Sequence, residues 1–221
     1  MLDVALRGDA ETLYHDRLAV VAGEAKAVAR TVIERFQAGE ITFDEAVQLL
    51  TDLVIGSGEA AAGVAQGFLS VMTDMPVTSG AQITVERSVI LSALTGNVAD
   101  AIERVVGTNV FDVAARETDE FVSSMGKDAP RFFLRRTRGA TCGLCVAAAT
   151  RPYYRAHLRP IHDHCDCVVR PVLPGEQLTD LLAEPVAKYQ DLTSQLKKLD
   201  TSLGRAKNAR KERSRASNVV L

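Results

Sequence analysis

All four cysteines of this 221-residue chain, and three of its four histidines, fall in one short stretch. It runs from Thr141 to Val169 and reads TCGLCVAAATRPYYRAHLRPIHDHCDCVV. Cys142 and Cys145 form a Cys-x-x-Cys pair. Cys165 and Cys167 form a Cys-x-Cys pair. A Cys-x-x-Cys turn brings two thiolates back onto one ion, and a second pair about 12–20 residues away completes a tetrahedral site. His162-x-x-Cys165 is one chelating spacing for that second half. Cys165-x-Cys167 is another, because an extended backbone puts residues i and i+2 on one face. The candidate ligands are Cys142, Cys145 and Cys165 with either His162 or Cys167. His164 ranks next and His157 last. Four-coordinate zinc takes four of the five leading candidates, so one structural zinc ion is expected.

Other chemistry fits these residues less well. Zinc deaminases place a Glu two residues after a His and follow with Pro-Cys-x-x-Cys. This chain has no His-x-Glu, and its Cys-x-x-Cys precedes the histidines. There is no His-Glu-x-x-His and no Gly-rich phosphate loop. A redox Cys-x-x-Cys belongs in a βαβ setting, which the surrounding pattern does not supply. A nucleophile pair of Cys142 or Cys145 with His162 is the remaining enzymatic reading. The expectation is a closed structural site without catalysis, in a module too small for a core of its own.

The elements around the site read as mainly helical. Hydrophobic residues make up 47% of the chain and aromatic residues 5%, with no Trp, so the core must rest on Ala, Val, Leu and Ile. Residues 9–38 carry Leu18, Val21, Ala25, Val28, Val32 and Phe36 at steps of three and four, which predicts a helix capped near Gly39. Thr42 and Glu45 form a capping box for a second helix to about Met72, with a kink allowed at Gly56–Gly58. Further helices are expected over 84–94, 97–106 and 110–125. RFFLRRTRG (131–139) and VVRPVL (168–173) read as strands, with Pro171 confining the second to an edge. A final helix is expected from Pro185 at its first turn. Tyr189, Leu192, Leu196, Leu199 and Leu203 give it a heptad-like seam, and a basic tail follows. Three parts result: an acidic helical array (1–128), a Cys/His α+β module (129–175), and a C-terminal helix with a basic tail (176–221).

Charge divides along similar lines. Residues 1–130 hold 9 Lys and Arg against 20 Asp and Glu, a balance of −11. Residues 131–170 balance at +6 and residues 171–221 at +3. The module's arginines (Arg131, Arg135, Arg136, Arg138, Arg151, Arg155, Arg159 and Arg170), with Tyr153 and Tyr154 between them, suit a nucleic-acid surface or the acidic helices of the same chain. Zinc-dependent nucleic-acid binding is therefore an alternative function. No apolar run approaches the ~20 residues that span a bilayer, and the N-terminus lacks a signal-peptide pattern. A reducing cytoplasm and no membrane partner are expected.

The stretch RRTRGATCGLCVAAATRPYYR…IHDHCDCVVRPV resembles the C-terminal signature of the Mu F-like (MuF) minor head proteins of tailed bacteriophages. Those carry an arginine and a small residue before Cys-x-x-Cys, then a short helix, an aromatic turn, His-x-x-Cys-x-Cys and a strand with a proline. The positions fall on Cys142, Cys145, His162, Cys165 and Cys167. Many members read His-Pro-Asn-Cys-Arg-Cys where this chain has HDHCDC, and Arg151-Pro152 replaces a glycine-led turn. The resemblance covers about forty residues. It implies a structural virion protein, not an enzyme, needed for head morphogenesis. Such a protein acts near the portal inside the capsid, after assembly in the host cytoplasm. Its partners would be the portal or the major capsid protein. Contact of the basic module and tail with packaged DNA is a further expectation.

Overall fold

The computed structural model describes residues 4–77, 80, 83, 87–95, 98–137, 142–154, 158, 160–161 and 165–217. Among them are six α-helices and one two-stranded sheet. Helices α1 (Val4–Gln37), α2 (Phe43–Thr73), α3 (Arg87–Thr95) and α4 (Val98–Ser124) form the first part. Strand β1 (Phe133–Arg136), helix α5 (Gly143–Ala149) and strand β2 (Val168–Pro171) follow, and α6 runs over Leu178–Ser217. The fold is mainly α, with a helical array, a small α+β module and a C-terminal helix.

Local signals set most of the boundaries. Thr42 caps α2: its hydroxyl accepts from the Glu45 N–H, and the Glu45 carboxylate accepts from the Thr42 N–H. Gly39 takes φ +73 after α1, where the Glu40 N–H reaches back to the Arg35 carbonyl, so the left-handed position needs a residue without a Cβ. Helix α2 runs unbroken through Gly56–Gly58, where the glycines allow a break. Gly58 is buried, and a Cβ there would stand 3.0 Å from the Ile83 side chain, so the glycine serves packing rather than bending. The expected break between 106 and 110 is also absent. Ile102, Val106, Val110 and Val113 share one buried face across Gly107, and packing outweighs the propensity penalty.

The α1 stripe differs from its expected register. Tyr14, Leu18, Ala22, Ala25, Ala29, Val32 and Ile33 are buried, while Val28 is exposed. Both stripes keep a mean step of about 3.6 residues, but the buried arc is centred on Leu18, Ala25 and Ala29, which leaves Val28 at its edge. Two apolar clusters result. One joins Ala29 and Ile33 of α1, Leu50 and Val54 of α2, Ile90 of α3 and Ile102 of α4. The other holds Leu18, Leu69, Val113 and the stacked rings of Tyr14 and Phe68, and it runs on into Phe133, Val168 and Val169 of the sheet. The module therefore shares its core with the helices.

Strands β1 and β2 pair antiparallel, Phe133 opposite Pro171 and Arg136 opposite Val168. Pro171 sits on an edge, as expected. On its other side Phe133 exchanges two backbone hydrogen bonds of 2.8 Å with Tyr153. Pro185 is not at the first turn of α6. It lies well inside the helix, where a proline removes the N–H that would bond the carbonyl four residues back. That carbonyl is Leu181's, and Arg136 Nη1 donates to it at 2.8 Å. A strand side chain thus supplies the hydrogen bond that the proline cannot.

Buried ion pairs bind these parts together. Glu11 of α1 meets Arg136 at 2.8 Å and Arg170 at 2.7 Å. Arg170 also forms a two-point pair with Glu176, and Arg7 lies 3.4 Å from the same carboxylate. Burial pushes the Glu176 carboxyl up, but its bonds with Arg170 and the Leu173 N–H, and the charges of Arg170 and Arg7, bring it below the usual range. Removing one partner of such a buried group strands the others. Arg170→Ala is expected to lose about 3–5 kcal/mol of unfolding free energy in denaturant titrations. Arg30→Ala, whose pair with Glu103 lies at the surface, should leave the midpoint near wild type. A lowered carboxyl stabilises above the unfolded range and loses that contribution as pH falls through its folded value. Glu176→Gln should therefore flatten the loss of stability on acidification below about pH 4.5.

Candidate metal centre

Cys142 occupies the N-cap of α5 in an extended conformation, and its Sγ accepts the Cys145 backbone N–H at 3.4 Å. That bond starts the helix and turns Cys145 inward one turn later, where it is 1% exposed. Cys165 and Cys167 lie on the approach to β2. The approach leads straight into the strand and both side chains are buried, as alternation along a strand requires. The sheet holds β2 against β1, and α5 packs on β1 and α6.

These elements bring Cys145, Cys165 and Cys167 together, with all three sulfur atoms within 4.8 Å of one another. The Cys145 and Cys165 sulfurs are 3.7 Å apart. A disulfide needs about 2.05 Å. Two thiolates on a tetrahedral ion with bonds of about 2.3 Å stand about 3.8 Å apart. The observed spacing fits shared coordination, and no disulfide joins the four cysteines. Three buried cysteines are thus positioned to hold a metal ion.

Their electrostatics agree. The Cys167 thiol donates to Cys165 and, against burial, brings Cys165 down to about 5, helped by backbone hydrogen bonds with Ile161 and Cys167. Burial pushes Cys145 up to about 12. Cys167 is raised as well, first by donating to Cys165 and then by burial. Cys165 is thus the thiol that ionises most readily, and Cys145 and Cys167 hold their protons more tightly. Three thiolates at this separation need a cation to offset their repulsion.

The expected ligands divide into three groups. Cys145, Cys165 and Cys167 converge. Cys142 stays exposed and outside the three-sulfur group, although its sulfur is hydrogen-bonded to Cys145. His162, like His157 and His164, lies outside the described residues.

The arginines divide too. Arg135 and Arg170 are buried, and Arg136 is committed to Glu11 and Leu181. Arg131 lies over Phe132 and Arg151 over Tyr153. Arg138, Arg155 and Arg159 lie outside the described residues. Sequence reasoning misses the Glu11–Arg170–Glu176 network near the site. The one signal for it is the opposite charge balance of the two halves.

Fold and site together define a mainly helical protein with a small two-stranded module and a buried three-cysteine cluster. No protein-family model, no curated protein and no solved structure matches the chain. Among the described residues, no helix is long and apolar enough to cross a membrane.

A metal entering this cluster must displace the protons on Cys145 and Cys167. Its affinity should therefore fall as pH drops, in competition titrations against a chromophoric chelator. Cys145→Ser, Cys165→Ser and Cys167→Ser should each weaken binding, because all three sulfurs converge on one point. A pH-independent affinity between about pH 6 and 8 would contradict proton displacement.

Proposed function

We propose that the chain is a structural minor head protein of a tailed phage, of the MuF-like kind, acting at or near the portal on the inside of the capsid. The buried three-thiol cluster carries this reading. It supports a closed clasp that fastens α5 to β2, with one zinc ion as its cofactor and Cys142 as the fourth ligand. The Cys145 N–H on the Cys142 sulfur orients that thiol toward its neighbour, as a metal-binding knuckle requires. His162 is the other claimant to the fourth position.

The enzymatic alternative has little to draw on. Of the nucleophiles it would use, Cys145 is 1% exposed with its thiol raised by burial, and Cys142 serves as the N-cap of α5; Cys165, whose thiol is lowered, is 2% exposed. The buried carboxylates Glu11 and Glu176 are occupied by arginines. The nucleic-acid alternative loses Arg135, Arg136 and Arg170, which face inward. What remains for DNA among the described residues is exposed Arg131 and Arg151, with the basic sequence at the end of α6, which suits a secondary contact with packaged DNA.

The reading is tested by mixing the full chain with the portal protein and, separately, with the major capsid protein encoded beside it. Saturable co-sedimentation with one of them at physiological salt is the expected result. Binding to neither, with DNA affinity that falls steeply as salt rises, would transfer the function to the nucleic-acid reading.

A further inference from the structure

Two apolar surfaces lack a partner among the described residues, and they complement each other. The first is a groove of about 480 Å³ between α1 and α2. Leu13 and Val71 line it and are 54% and 47% exposed. The stacked rings of Tyr14 and Phe68 lie beneath them, and Gly63 and Gly67 complete the lining, one turn apart on α2. A Cβ at either glycine would meet no atom within 4 Å, and neither has a positive φ. The fold of the single chain thus gives no reason for two helix-interior glycines, where alanine propagates a helix better. Close approach of a second backbone is such a reason.

The second surface is the outer part of α6. The inner end of the helix is held by Arg136 on the Leu181 carbonyl and by Leu192, whose side chain faces Gly143 of α5. Beyond Leu192 the helix continues to Ser217, a length of about 37 Å. Tyr189 and Leu196 are exposed, and Leu199 and Leu203 continue the same spacing in the sequence. The exposed Lys197 and Lys198 follow Leu196, and six more basic residues stand between 205 and 215. Exposed acids neighbour the groove's lining residues in the sequence. Exposed Asp9 and Glu59 adjoin the lining residues Ala10 and Ala60, and exposed Asp74 follows Val71 at the end of α2. Arg17 is the one cation in the lining.

We propose that the outer part of α6 from a second copy of this chain docks in the α1/α2 groove. The apolar seam enters the groove and the basic flank meets these acids. The contact is heterologous: the groove of one copy takes the helix of another.

The test is the mass of the full chain by light scattering over a concentration series. Wild type is expected to form species heavier than the 23.8 kDa monomer, dissociating as salt rises. Leu196→Asp and Gly67→Leu should each stay monomeric at more than about tenfold higher concentration, with helical circular dichroism unchanged. The Gly67 site is open, so the folded monomer accepts the leucine. Mixed together, the two variants should recover a heterodimer, because one keeps its groove and the other its helix. A wild type that is monomeric throughout would overturn the proposal, as would failure of the mixture to recover. So would assembly of Gly67→Leu like wild type while Leu196→Asp fails, because that outcome means α6 pairs with α6.

Discussion

Cys145, Cys165 and Cys167 are buried together, where three neighbouring thiolates would repel one another. The sulfurs are placed by the start of α5 and by the strand leading into β2, and nothing else among the described residues joins those two segments so closely. The module they belong to has two four-residue strands and one seven-residue helix. Such a unit buries little of its own and borrows the helical core through Phe133, Val168 and Val169. An ion at the thiols would replace protons and a repulsion with shared attachment. A local arrangement of side chains would then become a source of folding free energy.

The second constraint is electrostatic. Arg170 is 2% exposed, and a guanidinium so placed must be paired. It meets Glu11 from the first helix and Glu176 from the approach to the last. The network therefore ties the first helix to segments far along the chain. The charge difference between the acidic first half and the basic module is in part an internal one. Arg136 serves twice, pairing with Glu11 and bonding the carbonyl left open by Pro185.

How much of this is legible in the residues depends on how local its cause is. The capping box at Thr42, the Gly39 turn and the edge position of Pro171 rest on a few neighbouring residues, and each stands where the pattern places it. The spacing of Cys165 and Cys167 likewise implies a shared face, and they share one. Features set by distant parts of the chain are not legible. Gly56–Gly58 reads as a possible break because propensity counts the glycines but not what packs on Gly58. Val28 reads as core because steps of three and four pass through it, although it stands at the edge of the buried arc. Pro185 reads as a helix start because its compensating donor comes from a strand 49 residues earlier. No local pattern announces Glu11 as the partner of Arg170.

The central claim is that the cysteine cluster is a metal clasp on which the module's folding depends. Elemental analysis of the full chain, purified without added metal, should find about one ion per chain. Its removal by a strong chelator should lower the thermal midpoint and make all four thiols reactive. A chain that is metal-free as purified, whose midpoint does not move with chelator or added zinc, would contradict the account.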